Sequence, residues 1–193
     1  MVVLGGSAIV AAPSEAAAAV IGEAFSGLTV EAVANAEAVG SVLPVAEALG
    51  PATLGYLAEG DFRQMPTGSH VVDQLAAGNS ELHELEQSAG EADADEAGLG
   101  EITSPAFAIR IGGVVAAASG YRIWPRRIAH ISVLTAPGRR GQGLARAVAS
   151  SAVAHALTAG LLPQWRARPA ASRRVATALG FRELGAQLSF KLL

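Results

Sequence analysis

The sequence predicts a mixed α/β fold, and three observations support that prediction. Apolar residues make up 51% of the 193 residues and charged residues 16%, so the chain can bury a core of ordinary size. From residue 104 onward, short runs rich in β-branched and aromatic residues alternate with turn sequences, as in strands. Two segments of helical character, which end at Gly160 and Gly180, are inserted among these strands.

The first fifty residues predict one strand followed by helices. Residues 7–12 have strand character. Ser14 is an N-cap candidate for a helix over residues 16–25, because a serine hydroxyl can accept a hydrogen bond from an amide of the first turn. Residues 30–39 and 42–49 are apolar and acidic stretches, and we expect each to be helical.

The middle of the chain predicts a loop and two more helices. Residues 60–68 are rich in turn-forming residues, and residues 71–77 predict a short helix. Asn79 then caps a polar, acidic helix over residues 81–97. The tail of this helix, residues 91–96, is typical of a solvated surface.

The second half predicts strands joined by short turns, with the order β-β-β-α-β-α-β. Gly112-Gly113 between two apolar runs is typical of a two-residue hairpin turn, since glycine accepts a positive φ. The predicted elements are strands over residues 107–111, 114–124 and 128–135, a loop over 137–143, a helix over 144–158, a strand over 162–168, a helix over 170–179 and a strand over 187–192.

The loop after the third of these strands is suited to bind an anion. Its sequence is Pro137-Gly-Arg-Arg-Gly-Gln-Gly143, and Gly141 and Gly143 would leave backbone amides uncovered. The helix start that follows adds unpaired N–H donors and a positive dipole end, and Arg139 and Arg140 add cations. This combination predicts a phosphate or pyrophosphate site. The loop has neither the Gly-Lys-Ser/Thr of a Walker loop nor the third glycine of the Rossmann fingerprint.

The segment Arg140-Gly-Gln-Gly143-Leu-Ala145 resembles the Arg/Gln-x-x-Gly-x-Gly/Ala signature of the GNAT superfamily, the acyl-CoA-dependent N-acyltransferases. Residues 171–181, which end in Leu-Gly-Phe, resemble the second motif of that family. The resemblance covers residues 107–192. It implies a mixed, mostly antiparallel central sheet of GNAT type flanked by helices, with an N-terminal α/β extension. Residues 1–100 would then form an acidic, mostly helical acceptor side, and residues 101–193 an acetyl-CoA-binding core, within one structural domain.

This resemblance implies an N-acetyltransferase in which an amine attacks the thioester of acetyl-CoA directly, within a ternary complex. Backbone groups of strand 128–135 would pair with the pantetheine arm, and the glycine-rich loop would hold the pyrophosphate. Two residues of the second motif would also contact the cosubstrate. The residues implied to bind CoA are Val133, Leu134, Arg139, Arg140, Gly141, Gln142, Gly143, Leu144, Ala145, Ser172 and Arg174.

The sequence departs from the family pattern at two positions. Pro169 stands where an asparagine often contacts the pantetheine arm, and Ala176 stands where a tyrosine often protonates the leaving thiolate. Another group or water would therefore have to supply that proton. Tyr121 is a candidate for this role, and the alternative interpretation is that Tyr121 is only a packed residue of its strand. A catalytically degenerate acyl-CoA-binding module is the alternative function.

Two further residues are candidates for proton transfer. His130 lies close to the place where many family members carry a glutamate base, and an ordinary histidine pKa near ~6.5 suits removal of a proton from an ammonium group. A structural strand histidine is the other interpretation. Glu96 precedes the predicted sheet and could reach the amine site, with a solvated surface position as the alternative.

Charge is divided unevenly along the chain. Residues 1–105 carry 16 acidic side chains and one basic, whereas residues 106–193 carry 13 basic and one acidic. This division predicts an anionic partner for the second half and favours a cationic amine as the acceptor, whose identity stays open. Mutual neutralisation across a domain or dimer interface is the alternative, so a homodimer also stays open. Nucleic-acid binding is disfavoured, because no series of aromatic residues accompanies the arginines.

Composition excludes several other classes of protein. The sequence has no cysteine and no matched pair of histidines, so we expect neither a disulfide scaffold nor a metal site. No apolar run reaches the roughly 18–20 residues that cross a bilayer. The apolar start lacks the positive region of a signal peptide, and we expect a cytoplasmic protein.

Overall fold

The structure, a computed structural model, describes residues 1–66 and 70–193. The end of the predicted loop over residues 60–68 therefore lies outside the described residues. The described chain divides into two compact units. The smaller unit comprises Met1–Gly55, Arg166–Arg173 and Glu183–Leu193, and the larger unit comprises Tyr56–Trp165 and Arg174–Arg182. The predicted division into residues 1–100 and 101–193 stays a prediction.

The described residues form nine strands and seven α-helices, with four short 3₁₀ helices between them. The strands are β1 Val2–Leu4, β2 Ser7–Ile9, β3 Val45–Tyr56, β4 Asp73–Leu75, β5 Ala106–Ile111, β6 Val114–Trp124, β7 Ile128–Thr135, β8 Leu162–Ala167 and β9 Arg182–Leu192. The helices are α1 Glu15–Phe25, α2 Val30–Val33, α3 Ala36–Val42, α4 Ser80–Ala89, α5 Glu91–Ala97, α6 Leu144–Thr158 and α7 Ala170–Leu179.

The smaller unit contains strands in the order β2-β1-β9-β3, and both β1–β2 and β1–β9 are antiparallel. Helix α1 begins where the sequence predicts, because the Ser14 hydroxyl accepts a hydrogen bond from the Ala17 amide at 3.2 Å. The core of this unit joins Ile21 of α1, Val39 of α3 and Leu188 of β9, each at most 5% exposed.

The larger unit contains strands in the order β8-β7-β6-β5-β4, in which β7 and β8 are parallel and the other neighbours antiparallel. The predicted hairpin turn at Gly112 and Gly113 is confirmed, with φ of 64° and 86°. Helix α6 packs on β5, β6 and β7, and α4 and α5 also contact β7. These observations confirm the predicted mixed, mostly antiparallel sheet flanked by helices.

Two apolar clusters occupy opposite faces of β6 and β7. Val133 of β7 packs with Leu144 and Val148 of α6. Its neighbour Leu134 packs with Leu85 of α4, on the other face. Successive strand residues point to opposite faces, and directly paired residues of two strands point to the same face. The register of β6 and β7 therefore assigns each of their residues to the α6 face or to the α4–α5 face.

Four sequence predictions about secondary structure are wrong, each for a structural reason. Residues 30–39 are not one helix, because Ala34 ends α2 and Asn35 caps the start of α3. Residues 42–49 are not a helix: α3 ends at Val42, and β3 starts at Val45 next to β9. Residues 71–77 are not a helix either, because Asp73–Leu75 pairs with β5 as strand β4. The single helix over residues 81–97 is interrupted at Gly90, whose φ of 87° lies outside the helical region.

Gly180 occupies a position where only glycine fits. Its φ is 100°, and a Cβ added to it would overlap the backbone carbonyl oxygen of Asp61. The Arg63 amide also donates to the Leu179 carbonyl at 3.0 Å, so the 61–63 segment lies directly against the end of α7. This close approach accounts for the glycine of the Leu-Gly-Phe segment.

Candidate active site

The glycine-rich loop between β7 and α6 presents open backbone. Gly141 and Gly143 have φ of 77° and 79°, and a Cβ added to either would meet no atom within 4 Å. Gly143 is the N-cap of α6 and supplies no side-chain cap, so the first amides of this helix have no intrahelical acceptor. The loop and the helix start together offer N–H donors and a positive dipole end to an anion.

The two arginines of this loop have different surroundings. The Arg140 guanidinium contacts the Asp93 carboxylate of α5 at 2.6 Å, and its Nε donates to the Thr135 carbonyl at 3.4 Å. Both members of this ion pair are about half exposed, at 49% and 48%. Arg139 is exposed and has no ion-pair partner within the described residues. The Arg140 side chain therefore has an intramolecular carboxylate partner before any anion binds.

One edge of β7 is available beside this loop. The pairing of β7 with β8 includes only Ile128, Ala129 and His130 on the β7 side. Val133 and Leu134 lie beyond that ladder and pair with β6 alone in the described part of the chain. The predicted role of these two residues needs such an edge, because an added strand-like ligand binds through backbone groups.

A buried hydroxyl at the end of β7 lacks a partner. Thr135 Oγ1 is inaccessible to solvent and has no hydrogen-bond partner within residues 1–66 and 70–193. Thr135 pairs with Ala117 and so lies on the α6 face, the face on which the glycine-rich loop leads into α6. The open glycines and the available edge of β7 therefore lie at the same end of the strand.

His130 lies on the opposite face, among polar and aromatic side chains. Its Nδ1 lies 2.9 Å from the amide oxygen of Gln164 on β8. The Gln164 amide nitrogen donates in turn to the Tyr56 hydroxyl at 2.8 Å. The Trp124 ring stacks on the imidazole, with centroids 4.2 Å apart and planes 9° from parallel. Arg122 is the cross-strand neighbour of His130 and binds Glu101 at 2.6 Å.

Tyr121 lies on the α6 face, away from His130. It pairs with Ile131, is 2% exposed, and its hydroxyl lies 2.8 Å from Nδ1 of His155 on α6. Burial raises the pKa of the Tyr121 hydroxyl above its ordinary value. The structure therefore does not bring Tyr121 and His130, two of the predicted catalytic residues, together on one face.

The remaining predicted residues lie on helices. Glu96 is on α5 and is partly buried. Ser172 lies in the part of α7 that belongs to the smaller unit, and Arg174 lies in the part that belongs to the larger unit, where it is exposed. Ala176 is 7% exposed and presents only a methyl group where the family often has a tyrosine.

An acidic cleft opens on the α4–α5 face of the larger unit. Its volume is about 600 Å³, and its lining includes Glu86, Glu91, Asp95 and Glu101. Gly98, at the edge of this cleft, accepts a hydrogen bond from the Ser132 hydroxyl of β7 at 3.1 Å. The cleft and His130 therefore lie on the same face of β7.

The structure also bears on metal binding and membrane insertion. Within the described residues, no three His, Asp or Glu side chains are grouped so that they could hold a metal ion. None of the described helices is both long and apolar enough to cross a membrane.

The sequence alone did not point to several residues of this site. Gln164 and Tyr56 are 108 residues apart, and Asp93 and Arg140 are 47 residues apart, so no local spacing connects either pair. Gln164 does carry one sequence signal: it is a polar residue between two apolar neighbours in the predicted strand over residues 162–168, and the structure buries it to 5% exposure. A buried amide needs partners for both of its ends.

Known proteins resemble this chain in sequence over one segment and in overall fold. Residues 106–186 match the family model of GNAT acetyltransferases. No curated protein matches the sequence. Three solved structures share the fold: a GNAT-family protein from Novosphingobium aromaticivorans, an acetyltransferase of the GNAT family from Colwellia psychrerythraea, and a GCN5-related N-acetyltransferase from Kribbella flavida.

The three structures are distant in sequence. Their identities to this chain are 24%, 19% and 19%, with TM-scores of 0.59, 0.55 and 0.57. The alignments cover 76%, 78% and 81% of this chain but only 67%, 59% and 63% of theirs, so a third or more of each relative has no counterpart here. Similarity at this level establishes the fold only. The family match covers residues 106–186, less than half of the chain, and shows that this segment is similar to GNAT acetyltransferases.

Proposed function

We propose that this chain is an acyl-CoA-dependent N-acetyltransferase that uses acetyl-CoA as its cosubstrate. The observation that carries the proposal is the open backbone of the glycine-rich loop at the start of α6, beside the available edge of β7. The amides of residues 140–145 would hold the pyrophosphate, and Arg139 would add a cation. Val133 and Leu134 would pair with the pantetheine arm. Ser172 and Arg174 remain candidate contacts on α7.

The proposed reaction is direct acetyl transfer in a ternary complex. His130 would take a proton from the ammonium form of the acceptor, and the neutral amine nitrogen would then form a bond to the thioester carbonyl carbon. As the C–S bond breaks, the electron pair leaves with the sulfur, and the attacking nitrogen gives up its remaining extra proton to become the amide. The site offers no tyrosine at Ala176, so we propose that water carries this proton from the nitrogen to the thiolate, which gives the acetylated amine and the CoA thiol. Glu96 and Tyr121 are the other candidates for proton transfer.

The acceptor is proposed to be a cationic amine. The acidic cleft lies on the same face of β7 as His130, and its carboxylates would attract a positively charged ligand. Two amines of equal size that differ by a second positive charge would test this point. We expect the doubly charged amine to have the higher kcat/KM, with an advantage that shrinks as salt screens the attraction.

The central experiment measures acetyl-CoA binding by calorimetry and CoA thiol release across a panel of amines. Binding with release in the presence of an amine is the expected result. Because Ala176 removes the usual acid, an acyl-CoA-binding module without turnover is the second candidate. Binding without release for any amine would favour that module, and the absence of acetyl-CoA binding would refute both functions.

A further inference from the structure

His130 is connected to two residues to which the family resemblance assigns no role. We infer that Gln164 and Tyr56 are positioning residues that fix the proton of neutral His130 on Nδ1 and leave Nε2 as the nitrogen that accepts a proton. The kinetic part of this inference rests on the proposed function. The protonation state itself can be measured without any turnover.

The hydrogen bonds determine the tautomer. An amide oxygen can only accept, so the 2.9 Å contact between the Gln164 oxygen and His130 Nδ1 requires a proton on that nitrogen. At the other end of the amide, its nitrogen donates to the Tyr56 hydroxyl at 2.8 Å, so both ends of the amide are paired. In a neutral imidazole one nitrogen carries the proton and the other carries the lone pair. The lone pair of His130 is therefore on Nε2.

This arrangement also accommodates the protonated state. When Nε2 takes a proton, the hydrogen bond from Nδ1–H to Gln164 is kept, so the amide does not have to reverse. The stacked Trp124 ring, 4.2 Å from the imidazole centroid, presents its negative face to the cation that forms. A histidine that acts as a base needs both properties: a defined acceptor nitrogen and a stabilised conjugate acid.

Burial makes the arrangement specific. Gln164 is 5% exposed, so removal of either of its partners would leave one end of a buried amide unpaired, which is costly. The charged groups around His130 include Arg122 directly opposite on β6 and Glu101, which binds Arg122. The acidic side chains of α4 and α5 belong to the other elements packed against β7. All of these stay unchanged when Gln164 or Tyr56 is substituted.

The first test is spectroscopic. Long-range ¹H–¹⁵N spectra of the imidazoles distinguish the two tautomers, and His130→Gln assigns the signal. We expect neutral His130 to carry its proton on Nδ1 and Gln164→Leu to abolish that preference. His155 provides an internal control, because its Nδ1 faces the Tyr121 hydroxyl and its state should not respond. A wild-type His130 with its proton on Nε2 would overturn the inference.

The second test is kinetic. Gln164→Leu should lower kcat by roughly tenfold, the effect of one lost hydrogen bond, and leave the KM for acetyl-CoA unchanged. Gln164→Glu should restore much of the rate and raise the apparent pKa of the acidic limb by about one unit, since a carboxylate favours the imidazolium. Equal rates and identical pH profiles for Gln164→Leu and the wild type would contradict the positioning role.

The two tests separate the two claims. If the wild type releases no thiol with any amine while the Nδ1 tautomer is observed, the proposed function fails and the assignment of Gln164 and Tyr56 stands. If turnover is observed but the tautomer is on Nε2, the positioning role fails and the proposed function stands. Tyr56→Phe should weaken the Nδ1 preference less than Gln164→Leu does, because it leaves the amide oxygen in place.

Discussion

The sharpest test of the cosubstrate site is a charge placed at the N-cap of α6. Gly143→Asp would put a carboxylate at the point where the proposed pyrophosphate meets the helix. The substitution has room, since a Cβ at this position meets no atom within 4 Å. Its φ of 79° is unfavourable for most residues, but Asp and Asn tolerate this region better than others. Gly143→Asn is therefore a control of equal shape and equal backbone strain.

The expected effect follows from Coulomb's law. Two like unit charges ~4 Å apart repel by about 1 kcal/mol in bulk water and by about 4 kcal/mol at an effective dielectric constant near 20. Residues 141–143 are exposed, so the lower end applies. We expect Gly143→Asp to bind acetyl-CoA about 5- to 30-fold more weakly than Gly143→Asn at low ionic strength. The difference should narrow as salt shortens the screening length to ~8 Å and below.

Calorimetric titration with two ligands makes the assay specific. Acetyl-CoA carries the pyrophosphate, whereas acetyl-pantetheine carries the thioester arm without any phosphate. The charge at position 143 should weaken binding of acetyl-CoA and leave binding of acetyl-pantetheine unchanged. Equal acetyl-CoA affinities for the two variants at low salt would show that the pyrophosphate does not bind at this loop. A parallel loss for both ligands would indicate a distorted loop instead.

The other predictions concern stability and long-range charge. Gly180→Ala should lower the free energy of unfolding by about 1–3 kcal/mol through overlap with backbone, whereas Gly138→Ala, where a Cβ meets nothing within 4 Å, should change it by less than about 0.5 kcal/mol in thermal melts. Arg110→Met should lower the melting temperature at pH 7, and the difference from wild type should shrink as the pH falls through the pKa of Glu81. That pKa is depressed by its hydrogen bond to Arg110, so the part of the stabilisation that comes from this pair exists only where Glu81 is ionised; a pH-independent difference would contradict this. Asp93→Asn should raise acetyl-CoA affinity about two- to fivefold at low salt and not at about 0.5 M salt, because it removes a carboxylate next to the proposed phosphate site; unchanged affinity at low salt would place the phosphate elsewhere.

Local sequence signals predict the second half of the chain well because they act over a few residues. The Gly112-Gly113 turn and Gly160 are each sufficient to end a strand or a helix. In the structure, α6 and α7 begin and end at the residues that these local signals predict. The errors at residues 42–49 and 71–77 have a common cause. Strands β3 and β4 depend on neighbours far along the chain, and short apolar–acidic stretches carry no local mark of such pairing.

The same distinction applies to the site. The glycine-rich loop is recognisable because its chemistry lies within seven consecutive residues. The surroundings of His130 are not, because Trp124, Gln164 and Tyr56 come from three strands and meet only through register. Strand register is a property of the folded sheet and is not visible in the sequence. A binding loop that lies within one contiguous motif can therefore be predicted from the sequence, whereas a proton-transfer site assembled from three strands cannot.

The uneven charge distribution has a different meaning once the contacts are known. Within the larger unit, Arg110, Arg122 and Arg140 of the basic half each bind acids that come from the acidic half. The division therefore reflects internal pairing at least in part, and the arginine count overstates the positive charge available to a ligand. The Arg140 guanidinium in particular is shared with Asp93. Anion binding at this loop consequently depends more on the backbone amides around Gly143 than on arginine side chains, and a substitution at Gly143 tests the site more directly than one at Arg140.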